Sequence, residues 1–556
     1  MHKQLGAMKK TSSSARAAQH RQWLVKIDAA QRGYVIDTAG QLALQAVAEG
    51  VEHPAVLNLA GLARYDEGRF EEAVRLLRRA RALAAKDPNI LNSLGMSLMA
   101  LGQTDAALQA YDAALRIDPG IAAVHFNRGV LLQSLNEIKR SRSAYERAAA
   151  LNPNYAEPLA SLAWLDTRAG DGASARTHGE RALLLSPTNV LARIALASAY
   201  LQQGELADAA ASLSALSQDP SLTPINKSIV LGLIGDLQDA EGRPAEAFAA
   251  YEASNLQMKA LYAGQFEAQG KETALGHARR LAEWFATAAP EPWRQAEPAR
   301  PRAADPRAHI FLVGFPRSGT TLLESVLAAH PEVVSLDEKD CLATASATYM
   351  TSDGGLERLA QIGSGEALRQ REAYWSMVRK FGVEPRGRVF IDKMPLSNVQ
   401  LPVIAKLFPN ARVLFARRDP RDVVLSCFRR RFGMNPSMFQ LLTLEGAAAY
   451  YDAVMRLSEL YRDLLPLPQH VVRYESLVEN FEETARGACD FLGLEWDQGQ
   501  MDFAAKSRMR GISTPSAAQV ARGLNREGQG VWRRYREQMA PALPQLDPWV
   551  RHFGYV

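Results

Sequence analysis

A chain of 556 residues is too long for one ordinary hydrophobic core, so two or more domains are expected. Hydrophobic residues make up 47% and charged residues 22%, the balance of a folded protein and not of a disordered one. With 65 Lys and Arg against 60 Asp and Glu, the net charge of +5 is too mild to point to nucleic acid or a membrane surface.

Residues 1–22 are basic and polar with no apolar run behind them, and they read as a flexible tail and not as a secretory signal. No stretch approaches the ~20 apolar residues of a membrane span. Cys341, Cys427 and Cys489 form no CxxC pair, so neither a disulfide framework nor a cysteine zinc site is expected. The expected location is cytoplasmic.

From 23 to 255 small residues recur at a fixed step. Gly61, Gly95, Gly129, Ala163 and Ala197 are 34 apart, as are Gly68, Gly102, Asn136, Gly170 and Gly204. Ala73, Ala107, Ser141, Ala175 and Ala209 keep the same interval, and prolines such as Pro54, Pro88, Pro119 and Pro153 punctuate the units. Each unit reads as two helices broken by a turn. One such pair cannot bury its apolar face alone, but stacked pairs share a continuous core. The length and the Gly–Ala–Tyr–Ala–Pro pattern of GMSLMALGQTDAALQAYDAALRIDP resemble the tetratricopeptide repeat. That resemblance implies a protein or peptide partner for the array. A last irregular unit falls near 232–254. Residues 256–308 read as a helical segment and then a Pro-, Ala- and Arg-rich linker from about 288.

The remainder, 309–556, opens on HIFLVGF, an apolar run without alternation, as a central parallel strand requires. PRSGTT follows, then LLESVLAAH with helical spacing. Strand, loop and helix N-terminus together make an anion cradle from free backbone N–H groups. The frame of the nucleotide P-loop is present in Gly314 and Gly319, but Thr320 stands where its lysine would be, which disfavours an ATPase or kinase. RVFIDK, ending at Lys393, and ARVLFARRDPRDVVLSCFRRR supply further strands. Arg418 lies at a strand end, and Ser426 and Arg430 are four apart on the following helix.

PRSGTT after such a strand resembles the 5′-phosphosulfate loop of the sulfotransferases, in particular their tyrosylprotein branch. The resemblance implies a multi-domain chain: an all-α tetratricopeptide-repeat solenoid, then an α/β, P-loop-like sulfotransferase domain with a parallel sheet. The implied donor is 3′-phosphoadenosine 5′-phosphosulfate, with no metal. Its site would comprise Arg317, Ser318, Gly319, Thr320 and Thr321 in the loop. Arg418, with a serine eight residues on at Ser426, and Arg430 match the 3′-phosphate segment. Tyr474 matches a tyrosine of the nucleotide site, and Arg522 the basic residue of a closing loop. Glu338, 21 residues after Arg317, occupies the place of the family's catalytic glutamate, with Asp337 and Asp340 as alternatives. His330, before a proline, reads as a structural helix-end residue. Lys393 would stabilise charge on the bridging oxygen and Arg317 on the non-bridging ones. Arg429 and Arg431 are expected to be solvated neighbours. The implied acceptor is a protein or peptide tyrosine; a small-molecule, lipid or glycan hydroxyl, or a repeat scaffold with a vestigial catalytic domain, are the alternatives.

Overall fold

The computed structural model describes residues 21–32, 36–294, 305–510, 520 and 523–555. They divide into two compact units, one reaching to Leu165 and including His178–Ala192, the other comprising Asp166–Thr177 and the chain from Arg193 onward. No helix among the described residues is long and apolar enough to cross a membrane.

In the first unit successive helices pair, Pro88–Ala100 with Thr104–Ile117 and Ala122–Ser134 with Ile138–Leu151. The step of 34 has a steric cause. A Cβ on Gly95 would lie 2.6 Å from the ring of buried Tyr111, and one on Gly129 2.6 Å from the ring of buried Tyr145. Glycine at these positions lets the two helices of a pair close on the tyrosine. The turn between the helices needs a left-handed residue. Gly102 supplies it at φ 71°, and Asn136 stands at the equivalent place with φ 56°, as asparagine tolerates.

The second unit repeats this geometry in α1 (Pro224–Ala240) and α2 (Pro244–Phe266), where a Cβ on Gly235 would come within 2.6 Å of the Tyr251 ring. Helix α3 (Ala274–Thr287) leads to a five-stranded, wholly parallel sheet. Its strands are β1 (Ala308–Gly314), β2 (Val333–Asp337), β3 (Val389–Lys393), β4 (Arg412–Arg417) and β5 (Gln469–Arg473), in the order β2-β3-β1-β4-β5. The architecture is the one expected, helical repeats followed by a parallel α/β domain. The chain leaves β1 towards β2 on one side and later crosses to β4 on the other. The end of β1 is therefore the topological switch point, where open α/β sheets bind ligands.

The strands lack polar alternation because both sheet faces are covered. Ile310, Leu312, Ile391 and Leu414 pack on one face with α4 (Thr320–Leu327). Phe311, Val313, Phe390 and Phe415 pack on the other with Tyr451 and Val454 of α6 (Leu444–Leu464), which follows α5 (Pro420–Phe428). That second core also takes in Tyr251 of α2, Leu281 and Phe285 of α3, and Trp293, which is 1% exposed within the stretch read as a linker.

Under this face lies a buried polar chain. Tyr374 donates to Asp392 Oδ2 (2.6 Å), and its oxygen faces His309 Nε2 at 2.9 Å. Burial raises the Asp392 carboxyl to about 7, against the Tyr374 hydrogen bond, and lowers His309 to about 3. Between pH ~4 and ~6.5 the folded pair carries its one proton on Asp392, and the unfolded pair carries it on histidine. The two contributions to the pH dependence of stability therefore cancel in that window. In Asp392→Asn only His309 remains. Its contribution is complete above pH ~6.5 and lost on acidification, so the variant should lose stability relative to wild type by up to about 1.4 kcal/mol per pH unit below ~6.5. Denaturant titrations from pH 4 to 7 check this.

Candidate active site

Strand β1 ends at Gly314, where a Cβ would meet the Ala416 carbonyl and Ser318 Oγ, each at 2.6 Å. The loop Phe315–Gly319 then turns tightly into α4, Ser318 N bonding back to the Phe315 carbonyl (3.1 Å). Three described non-glycine residues have a positive φ, and two of them are Arg317 (71°) and Glu338 (49°). Such backbone costs about 1–3 kcal/mol and persists where the surroundings over-determine it. Arg317 is held from both ends: Arg418 Nη1 donates to its carbonyl (3.0 Å), and its own Nε donates to Ser426 Oγ (3.1 Å). Gly319, at φ 97°, leaves room for Tyr474, whose ring would lie 2.9 Å from a Cβ there. The Arg418 guanidinium sits 4.8 Å from the centre of that ring and donates to the Gly528 carbonyl. Asp422 accepts from the N–H groups of Gly530 (2.7 Å) and Trp532 (2.9 Å), fixing the segment that carries Gly528.

These elements enclose a cavity of 320 Å³. Among the residues expected from sequence, Arg317, Gly319, Thr321, Arg418, Ser426, Arg430 and Tyr474 line it; Ser318 and Thr320 are buried in the loop beside it. Arg522 lies outside the described residues. Five arginines line the cavity, Arg317, Arg418, Arg429, Arg430 and Arg534, against Asp239, Asp422 and Glu527. Burial, with Arg430 and Arg418 close by, pulls the Arg317 guanidinium down to about 9, and burial lowers Arg430 as well. Ser318 Oγ and Arg418 Nε are buried without a hydrogen-bond partner among the described residues. Unmet donors and crowded guanidiniums at a helix N-terminus are the complement of an anion.

Glu338 and Lys393 do not line this cavity. They form a second cluster at the C-terminal ends of β2 and β3, where Asp337 pairs in register with Lys393, and Lys393 in turn stands beside Leu312 of β1. Lys393 is fully buried. Its Nζ contacts Asp337 and donates to Glu338 Oε1 (2.8 Å), while Glu338 N bonds the Lys393 carbonyl (2.8 Å). Burial opposes the ammonium, but Asp337, Glu338 and buried Glu324 outweigh it and hold its pKa above the usual lysine range. His330 uses both ring nitrogens structurally, facing the Glu332 N–H and the Glu495 carbonyl, each at 3.1 Å.

The expectation that Arg429 and Arg431 are solvated is corrected. Arg429 pairs with Asp239 and lies between the Tyr251 and Tyr535 rings, each 5.1 Å away, and Arg431 pairs with Asp236 at 3.1 Å. Sequence reasoning also missed Asp239, Asp422 and Arg534. A lone carboxylate or arginine at a helix surface carries no signal of a partner on another element.

Residues 309–498 match the sequence model of the sulfotransferase family, and residues 92–156 and 166–221 match two models of the tetratricopeptide repeat. An uncharacterized protein of Aquifex aeolicus is 26% identical over 254 residues, 43% of this chain and 32% of its own. Protein-tyrosine sulfotransferase A of Caenorhabditis elegans is 27% identical over 259 residues, 44% of this chain and 67% of its own. The protein-tyrosine sulfotransferase of Drosophila melanogaster is 29% identical over 235 residues, 40% of this chain and 46% of its own. The chain thus spans about a third of the Aquifex protein and under half of the Drosophila one. By these matches the chain is similar to the tetratricopeptide repeat in its first part and to the sulfotransferase family over residues 309–498.

Proposed function

We propose that this chain is an enzyme that transfers the sulfuryl group of 3′-phosphoadenosine 5′-phosphosulfate to the hydroxyl of a protein or peptide tyrosine. The observation that carries the reading is the convergence of Arg317, Arg418, Arg430 and the N-terminus of α4 on one cavity, with Ser426 among them. The orphaned Ser318 Oγ and Arg418 Nε fit a ligand bearing phosphate oxygens.

In this reading the loop 317–321 takes the 5′-phosphosulfate, and Arg418, Ser426 and Arg430 take the 3′-phosphate. The acceptor oxygen attacks sulfur, the bond from sulfur to the bridging phosphate oxygen breaks, and adenosine 3′,5′-bisphosphate leaves. A phenol of pKa ~10 is protonated at neutral pH, so its proton passes to a base, the Glu338 carboxylate. Lys393, fully charged, stabilises the negative charge that grows on the bridging oxygen. Positioning and electrostatics carry the rest, as in phosphoryl transfer. The repeats grip the protein that bears the tyrosine, so that remote binding energy orients the reacting hydroxyl.

The donor reading is tested by thermal shift. Adenosine 3′,5′-bisphosphate should stabilise the protein, by about 2.7 kcal/mol at a hundredfold excess over Kd, and ATP should not. Stabilisation by ATP alone would refute it. The acceptor is tested with radiolabelled donor and a cell lysate: label should appear on protein tyrosine, and label confined to lipids, glycans or metabolites would remove the tyrosine assignment.

A further inference from the structure

The last helical hairpin, α1 and α2, belongs to the same compact unit as the sheet, and it meets the cavity wall at one place. Helix α5, which carries Ser426, ends at Phe428, and the three arginines 429–431 follow. Each part of this short segment has a partner on the hairpin except Arg430, which lines the cavity together with Arg429. Asn255 Nδ2 of α2 donates to the Phe428 carbonyl (2.9 Å) in a buried contact, and Phe248 stacks on the Phe428 ring at 4.8 Å. Arg429 is bound by Asp239, which also accepts from the Tyr535 hydroxyl (2.6 Å) and pairs with Arg534 (3.2 Å). Arg431 is bound by Asp236, whose other oxygen accepts from Tyr251 (3.0 Å). The Arg431 guanidinium lies so close over α1 that a Cβ on Gly232 would come within 2.2 Å of its Nη1. Arg430, between them, has no ion pair among the described residues and lines the cavity beside Ser426.

We propose that the last repeat hairpin is a positioning element of the nucleotide site: through Asn255, Asp236 and Asp239 it pins Arg429 and Arg431 and so presents Arg430 and Ser426 to the 3′-phosphate. The physical logic is one of alternation. Three adjacent arginines repel each other, and a free segment would spread them into solvent. Two carboxylates on one rigid helix, three residues apart, pair with the outer two and leave the middle guanidinium, which Asp236 reaches only through space, without a direct ion pair among the described residues. The inference rests on the nucleotide reading above. It extends the site beyond the sulfotransferase-family match, which begins at residue 309, to residues 224–266.

The test uses the full chain and compares the affinities of adenosine 3′,5′-bisphosphate and adenosine 5′-monophosphate by calorimetry. Two uncharged changes, Asn255→Leu and Gly232→Ala, disturb the segment without altering the field of the cavity. Asp239→Asn removes a negative charge from the cavity wall. Electrostatics alone would then tighten an anion, whereas loss of positioning weakens it, so the sign decides. The expected result is a loss of bisphosphate affinity on the order of tenfold in Asp239→Asn and Asn255→Leu, the size of one charge-assisted hydrogen bond, with monophosphate affinity unchanged in Asn255→Leu and not weakened in Asp239→Asn. Gly232→Ala favours the helix and guards against a folding failure; it should lose the same preference to a smaller degree. Equal weakening of both nucleotides would show a structural role only and overturn the proposal, as would tighter binding in Asp239→Asn. If wild type itself shows no preference for the bisphosphate, the nucleotide reading falls and this inference with it. If wild type shows the preference and all three variants keep it, this inference alone falls.

Discussion

Glu338→Gln is expected to cut turnover by about 10²-fold or more while leaving nucleotide affinity unchanged. General-base assistance contributes typically ~10²–10⁴-fold, and glutamine cannot take the acceptor proton. The substitution keeps the side-chain volume, and its carbonyl oxygen can still accept from Lys393 as Glu338 Oε1 does at 2.8 Å. The left-handed backbone of Glu338, tied by its N–H to the Lys393 carbonyl, does not depend on the charge. Binding is expected to be spared because Glu338 lies apart from the cavity that Arg317, Arg418 and Arg430 line. Single-turnover transfer from radiolabelled donor, beside a calorimetric titration of the product nucleotide, separates the two effects. Wild-type turnover in the glutamine variant would move the base to Asp337, whose carboxylate shares the Lys393 ammonium. Loss of nucleotide affinity would instead place Glu338 in the binding machinery.

What the sequence revealed, and what it hid, follows from the range of the forces involved. The strand–loop–helix at 308–327 was legible because it is local: an apolar strand, two glycines and a helix start lie within twenty residues of each other. The repeat was legible for the same reason, since a glycine packs on a bulky side chain sixteen positions later, Gly61 on Leu77 and Gly95 on Tyr111. Arg418 and Ser426 were found through the spacing of one strand and the helix after it. The Lys393–Asp337 contact was not legible, because it arises from the register between β2 and β3, strands more than fifty residues apart. The roles of Arg429 and Arg431 were hidden in the same way: their partners, Asp239 and Asp236, lie about 190 residues upstream on a helix of the repeat array. The expected boundary near residue 309 marks where composition changes. The core runs across it, since Tyr251, Phe285 and Trp293 pack into the same cluster as the sheet.

Lys393→Met should abolish most transfer and also expose why the lysine is buried. Methionine has similar length and no charge, so it fills the site without strain while removing the cation beside Asp337, Glu338 and Glu324. Loss of one preorganised charge at a leaving oxygen costs on the order of 10²–10³ in turnover. Breaking a fully buried ion pair from one side costs about 3–5 kcal/mol of stability, and the cost here is smaller because the Asp337 and Glu338 side chains are part-exposed. The two losses are read separately, one as Tm and the other as transfer. In wild type the raised lysine pKa means that its contribution is present at all pH values below the ordinary lysine range, so it is flat from pH 5 to 8. Lys393→Met should therefore lower both Tm and transfer at pH 7, and transfer should stay low wherever the variant is folded, since methionine cannot stabilise the leaving oxygen. An unchanged Tm would show that the carboxylates are not set against Lys393. Wild-type transfer beside a lowered Tm would show that the lysine serves the fold and not the reaction.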